Sequence, residues 1–265
     1  MRTSSSSASF WQKFCPLFAI GLLGVVSLAP VLLSVLPKQL AQLQQPVPVS
    51  ISVLVVLALL QTSLLLAVSI ALGAAVTAQL GLRSHFVQSI IEQRPFWPLL
   101  RAHLATSVLL GVAGFAIVAA LDISFRPLLG QSWQRLSQSG VSGTPASVIA
   151  GVLYGGITEE LMLRWGLMSL TAWCGWRILQ KGNAEPRASL MWTAIILSAL
   201  LFGAGHLPAT AAIVPLTPII VVRALVLNGV IGCIAGWLFW RRGLESAMVA
   251  HAMFHITSAV AALWL

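Results

Sequence analysis

The sequence predicts an all-α protein: a polytopic bundle of about seven transmembrane helices with a polar cavity inside it. Three observations lead there. The apolar fraction is 58% against 8% charged, with a mean hydropathy of +0.94, far too little polar surface for a soluble domain of this length. Apolar stretches of about 20 residues recur, each long enough to cross a hydrocarbon core of roughly 30 Å as a helix. They do not alternate, which excludes the pattern of a β-barrel. Ionisable residues sit in the middle of some of these stretches, where they are costly unless they line a cavity or find a partner.

Along the chain, residues 1–13 are Ser-rich and weakly basic, and are expected to be a disordered tail. Residues 14–145 are expected to hold the N-terminal transmembrane helices and an interfacial segment. The first span, 14–36, follows Arg2 and Lys13 and is longer than a typical signal-peptide core, which favours an uncleaved anchor. A polar loop, 37–50, leads to a second span at 51–80. Residues 83–101 mix Arg with Phe, Ile and Trp, a composition suited to the headgroup interface. A third span follows at about 103–121. Residues 146–265 hold four more spans, at about 147–174, 189–207, 219–240 and 244–264.

The net charge of +9 comes from 15 Lys/Arg against six Asp/Glu. These basic residues lie in short loops between apolar runs, where they set orientation and meet anionic lipid; no nucleic-acid partner is implied. With the N-terminus cytoplasmic, ten basic residues fall on the cytoplasmic side and Lys38, Arg126, Arg135 and Arg223 on the other. The expected location is a plasma or inner membrane. Cys15, Cys174 and Cys233 share no metal-type spacing.

Glu92, Asp122, Glu185 and Glu245 lie in loops or at span ends. Glu159 and Glu160 lie within an otherwise apolar helix. Arg164, four residues on, shares a helix face with Glu160. Glu159 points about 100° away and is left to face a cavity, with Gly155 and Gly156 leaving room for water or another helix. His206 ends the fifth span, and His251 and His255, four apart, share one face of the seventh. His85 and His103 are at boundary positions and receive no role. Straight helices of ideal rise place His251 at a different depth from Glu160 and His206. A tilt, a deeper start to the last helix, or a fourth helix that is not straight would bring the three together.

At these residues the chain resembles the CAAX-protease/bacteriocin-processing (CPBP) family of intramembrane proteases. The motifs are Glu159-Glu160-Leu-Met-Leu-Arg164, Phe202-Gly-Ala-Gly-His206 and His251-Ala-Met-Phe-His255, ordered on successive helices. The family has Asn or Asp where this chain has His255. The resemblance implies a glutamic endopeptidase acting on a membrane-associated protein or peptide within the lipid bilayer. In that reading Glu159, assisted by His206, activates water, while His251 and His255 stabilise the oxyanion and Glu160–Arg164 holds its helix in register. Neutral His can donate in place of Asn. No cofactor is expected. The alternative is zinc held by Glu and His, although no HExxH occurs in the chain. Two other classes remain: a proteolytically inactive scaffold and, with less support, a proton- or ion-coupled transporter.

Overall fold

The computed structural model describes residues 9–41, 48–138 and 144–264. The expected disorder of the tail falls, for residues 1–8, outside the described residues. The first helix, α1 (Phe10–Ser27), starts four residues earlier than hydropathy suggests. Ser9 caps it in a reciprocal capping box with Gln12, a polar signal that a hydropathy reading ignores. The expected 14–36 span is also not one helix. It breaks at Leu28, and α2 (Ala29–Leu40) restarts with Pro30 in its first turn, where proline's missing N–H costs nothing.

α3 (Ile51–Val76) is capped by Ser50 and closes through a 3₁₀ turn, Thr77–Leu80. The short helix α4 (His85–Glu92) follows. α5 (Phe96–Leu129) is longer than the expected 103–121 span and absorbs the end of the segment read as interfacial. α6 (Gln131–Gln138) is a short polar helix beyond it. α7 (Pro145–Leu179) is continuous but not uniform. Gly151–Glu159 and Leu161–Met168 are π-helical, wound more widely than an α-helix, a feature frequent at functional sites. α8 (Ala188–Gly205), the single turn α9 (Leu207–Ala211), α10 (Pro218–Arg242) and α11 (Leu244–Ala261) complete the bundle.

Among the described residues six helices are long and apolar enough to cross a membrane: α1, α3 with its 3₁₀ turn, α5, α7, α8 with α9, and α10. α11, expected as the seventh span, is as long as α1, but Glu245, His251 and His255 dilute its apolar character. It packs against α5, α7 and α10. Large apolar side chains such as Leu57, Leu60 and Leu64 of α3 point outward, as lipid-facing surfaces do. The core is formed by Leu66 and Ile70 of α3, Leu161, Trp165 and Met168 of α7, Ile195 of α8, and Leu238 and Phe239 of α10.

His251 reaches Glu160 despite the depth conflict, with a last helix that starts buried and an α7 that is partly π-helical. Leu244, Glu245, Ser246 and Ala247 are all buried. The turn before them is made by Gly243 at φ +104°, a conformation L side chains rarely adopt. The Leu244 amide donates to Arg83 O at 3.1 Å. α11 therefore begins well inside the bundle, under α4, and His251 reaches the height of Glu160.

Candidate functional site

Three helices bring the ionisable residues together. Glu160 and Arg164 of α7 are completely buried, and Arg164 NH1 approaches Glu160 Oε1 to 3.1 Å. The approach lacks hydrogen-bond alignment: Arg164 NH1 and Nε and Glu160 Oε2 have no hydrogen-bond partner among the described residues. The guanidinium is instead fixed by NH2 donating to Gly232 O of α10 at 3.0 Å and by the face of Phe202, 5.3 Å away. Arg164 thus joins α7, α8 and α10. Glu160 Oε1 also accepts from His251 Nδ1 at 2.7 Å, a contact that sequence spacing does not reveal.

Glu159 points into a cavity of about 480 Å³. His206, His251 and His255 line the same cavity, so the structure assembles all three imidazoles around one carboxylate. His251 lies between the two glutamates, with Nε2 3.9 Å from Glu159 Oε2 and Nδ1 on Glu160. His255 stacks on His251 with ring centroids 5.1 Å apart. The room beside Glu159 is filled by α11. A Cβ on Gly155 would stand 2.6 Å from His255 Nε2, and one on Gly151 would stand 2.8 Å from His255 Nδ1. The imidazole fits only because these two positions carry no side chain.

Hydrogen bonds fix which nitrogens are free. A carbonyl oxygen can only accept, so His206 Nδ1–H donates to Phe202 O at 2.9 Å. In the neutral ring Nε2 then keeps its lone pair. An ionised Glu160 likewise makes His251 Nδ1 a donor, and leaves a lone pair on Nε2 of the singly protonated ring. Neither nitrogen of His255 is committed to a hydrogen bond among the described residues.

Two further residues of this cavity escape motif reading, Tyr154 of α7 and Asn228 of α10. The one available signal is rarity: Tyr154 is the only tyrosine in the chain, and Asn228 is an amide in an apolar segment. Apolar walls come from Leu28 and Val31 at the α1–α2 break, Val118, Leu227, Ile231 and Phe254.

Among the described residues no three His, Cys, Asp or Glu form a group arranged to hold a metal ion. Glu245, read from sequence as an unremarkable span end, is buried, and accepts from Ser84 Oγ and from the amides of His85 and Phe86. It caps α4 from α11. Asp122 pairs with Arg223 at 2.6 Å and ties α5 to α10. His85 and His103 stack on each other, 5.6 Å apart, away from the cavity.

No curated protein and no solved structure matches the chain. The family model of the type II CAAX prenyl endopeptidase Rce1-like proteins matches residues 141–257, somewhat under half of the chain and spanning every ionisable residue of the cavity. Over that segment, which runs from the start of α7 into α11, the chain is similar to the type II CAAX prenyl endopeptidase Rce1-like family.

Proposed function

We propose that this chain is an intramembrane endopeptidase that hydrolyses a peptide bond of a membrane-associated protein or peptide, with water as the nucleophile. The observation that carries the reading is Glu159, a carboxylate free of hydrogen bonds among the described residues, facing a cavity that three imidazoles line. Glu159 takes a proton from water, and the oxygen attacks the scissile carbonyl. His206 assists through Nε2, whose lone pair is directed by the Nδ1–H bond to Phe202 O. The proton on Glu159 can pass to His251 Nε2, and the imidazolium so formed is flanked by both glutamates. It becomes a donor as the oxyanion forms and, with His255, stabilises it in a site shielded from bulk water. Cleavage of the C–N bond returns the proton to the leaving amine. Glu160 and Arg164 position His251 rather than touch substrate.

The charge asymmetry of the loops supports a cytoplasmic N-terminus in a plasma or inner membrane. His206 caps the far end of α8, so this orientation sets the cavity in the non-cytoplasmic half of the bilayer.

The test is turnover by purified protein in proteoliposomes. The probes are a quenched-fluorescence peptide ending in a prenylated CAAX sequence and its unprenylated twin, alongside proteomic comparison of membranes holding wild type or Glu159→Gln. Wild type is expected to cleave, in the presence of chelator, and Glu159→Gln to lose at least about 10³-fold, on the scale of removing an essential group. Identical peptide profiles in the two membranes, with no cleavage of either probe, would leave a scaffold as the correct reading. Loss of wild-type turnover on chelation would favour the zinc alternative instead.

A further inference from the structure

An oxyanion needs N–H or O–H donors in place when it begins to form, and of the three imidazoles only His255 has an uncommitted N–H to offer in its neutral form. The Nδ1–H groups of His206 and His251 are spent on Phe202 O and Glu160. In their neutral forms both rings therefore turn acceptors, not donors, toward the cavity. Ser147 is also committed, its hydroxyl donating to Thr144 O at 2.8 Å. Tyr154 lies five residues before Glu159 in a π-helical segment, hence one wide turn away on the base's own wall.

Asn228 lies on a different wall, on α10, one turn before the Gly232 carbonyl that holds Arg164. Its amide has two N–H donors and an acceptor oxygen. One N–H goes to Ala224 O of its own helix at 2.8 Å. The second N–H and Oδ1 have no partner among the described residues, and the side chain lines the cavity. An uncharged group offering one donor and one acceptor is the complement of a peptide unit, whose C=O and N–H both need partners away from water.

We infer that Asn228 is a substrate-contacting residue, its free Nδ2–H donating to the carbonyl of the bound peptide and supplying, beside His255, a donor that neutral His206 and His251 do not offer before attack. The inference rests on the peptidase reading and adds to it a residue outside the motifs. A competing account exists: an asparagine in an apolar helix whose amide serves only to satisfy its own backbone.

Two substitutions separate these accounts. Asn228→Ala removes both donors. Asn228→Ser keeps a hydroxyl that can bond back to the carbonyl four residues earlier but has no second donor to give. With the peptides above, both variants are expected to lose roughly 10²–10³-fold in kcat, with KM changed far less, as for removal of one oxyanion donor. Thermal unfolding in detergent should match wild type. Full turnover by Asn228→Ser with loss in Asn228→Ala would show that the backbone bond alone matters, and overturn the inference. Full turnover by both would do the same. A wild type that cleaves while Glu159→Gln does not, with either of these results, overturns the role of Asn228 alone. A wild type with no activity in any assay overturns the peptidase reading and this inference with it.

Discussion

The chain buries two clusters of Glu, His and Arg, and they behave differently. In the one beneath α4, both oxygens of Glu245 accept hydrogen bonds, from Ser84 Oγ, His85 N and Phe86 N. His85 Nε2–H donates to Arg242 O at 2.7 Å, and Arg242 NH1 donates to His103 Nδ1 at 3.3 Å. Of its fully buried side-chain atoms only His85 Nδ1 lacks a partner among the described residues, and the cluster joins a loop, a short helix and three long helices, α5, α10 and α11. In the cluster on α7, α8 and α11, Glu159 and His255 have no hydrogen bond among the described residues and border open volume. The same residue types make a fastening in one place and an open cavity lining in the other. Unspent bonding capacity beside a cavity makes the difference, not the number of ionisable groups.

The largest effect that would break this comparison lies inside the cavity cluster, where Glu160–Arg164 is itself a fastening. Removing one partner of a fully buried pair costs about 3–5 kcal/mol. Arg164→Ala should therefore lower the unfolding midpoint and the yield of folded protein in detergent. An unchanged midpoint would mean that Arg164 does not hold α7, α8 and α10 together.

Next comes His255. Alanine there is expected to reduce turnover by roughly 10²–10³-fold at unchanged stability. Asparagine, whose amide can donate from a similar reach, should retain most of it. A folded Asn variant as inactive as the Ala variant would show that the imidazole does something other than donate.

The smallest effect sharpens the contrast from the other side. Glu245→Ala strips partners from Ser84, His85 and Phe86 and should cost about 1–3 kcal/mol of stability, with turnover per folded molecule unchanged. A selective loss of turnover would show that the fastening under α4 tunes the cavity.

Much of this was legible in the sequence. Hydropathy located six of the seven expected spanning segments and the transmembrane, all-helical class, because lipid imposes long apolar runs. Spacing paired Glu160 with Arg164, and the ordered motifs on three helices carried the family. Other features depended on contacts across the chain. The α1–α2 break needs the proline at residue 30 read as a helix start rather than as a tolerated interruption. Glu245 resembles a charge left at a membrane boundary until α4, some 160 residues earlier, is seen resting on it. The link from His251 to Glu160 depends on where α11 begins, which is set by Gly243 and by the Arg83 carbonyl. Asn228 belongs to no motif, so only the cavity identifies it.

The deep start of α11 also bears on how the protein is made. An ionisable residue at the centre of a spanning helix costs about 2.5–3.5 kcal/mol on insertion scales, and α11 carries Glu245, His251 and His255 on 18 residues. Glu245 is matched by donors at the start of α4, and His251 by Glu160 on α7. Both partners are synthesised before α11 leaves the ribosome. Its entry into the bilayer is thus a docking step onto a receptor already in place, and damage to α4 or α7 is expected to appear first as failed biogenesis of the C-terminal helix.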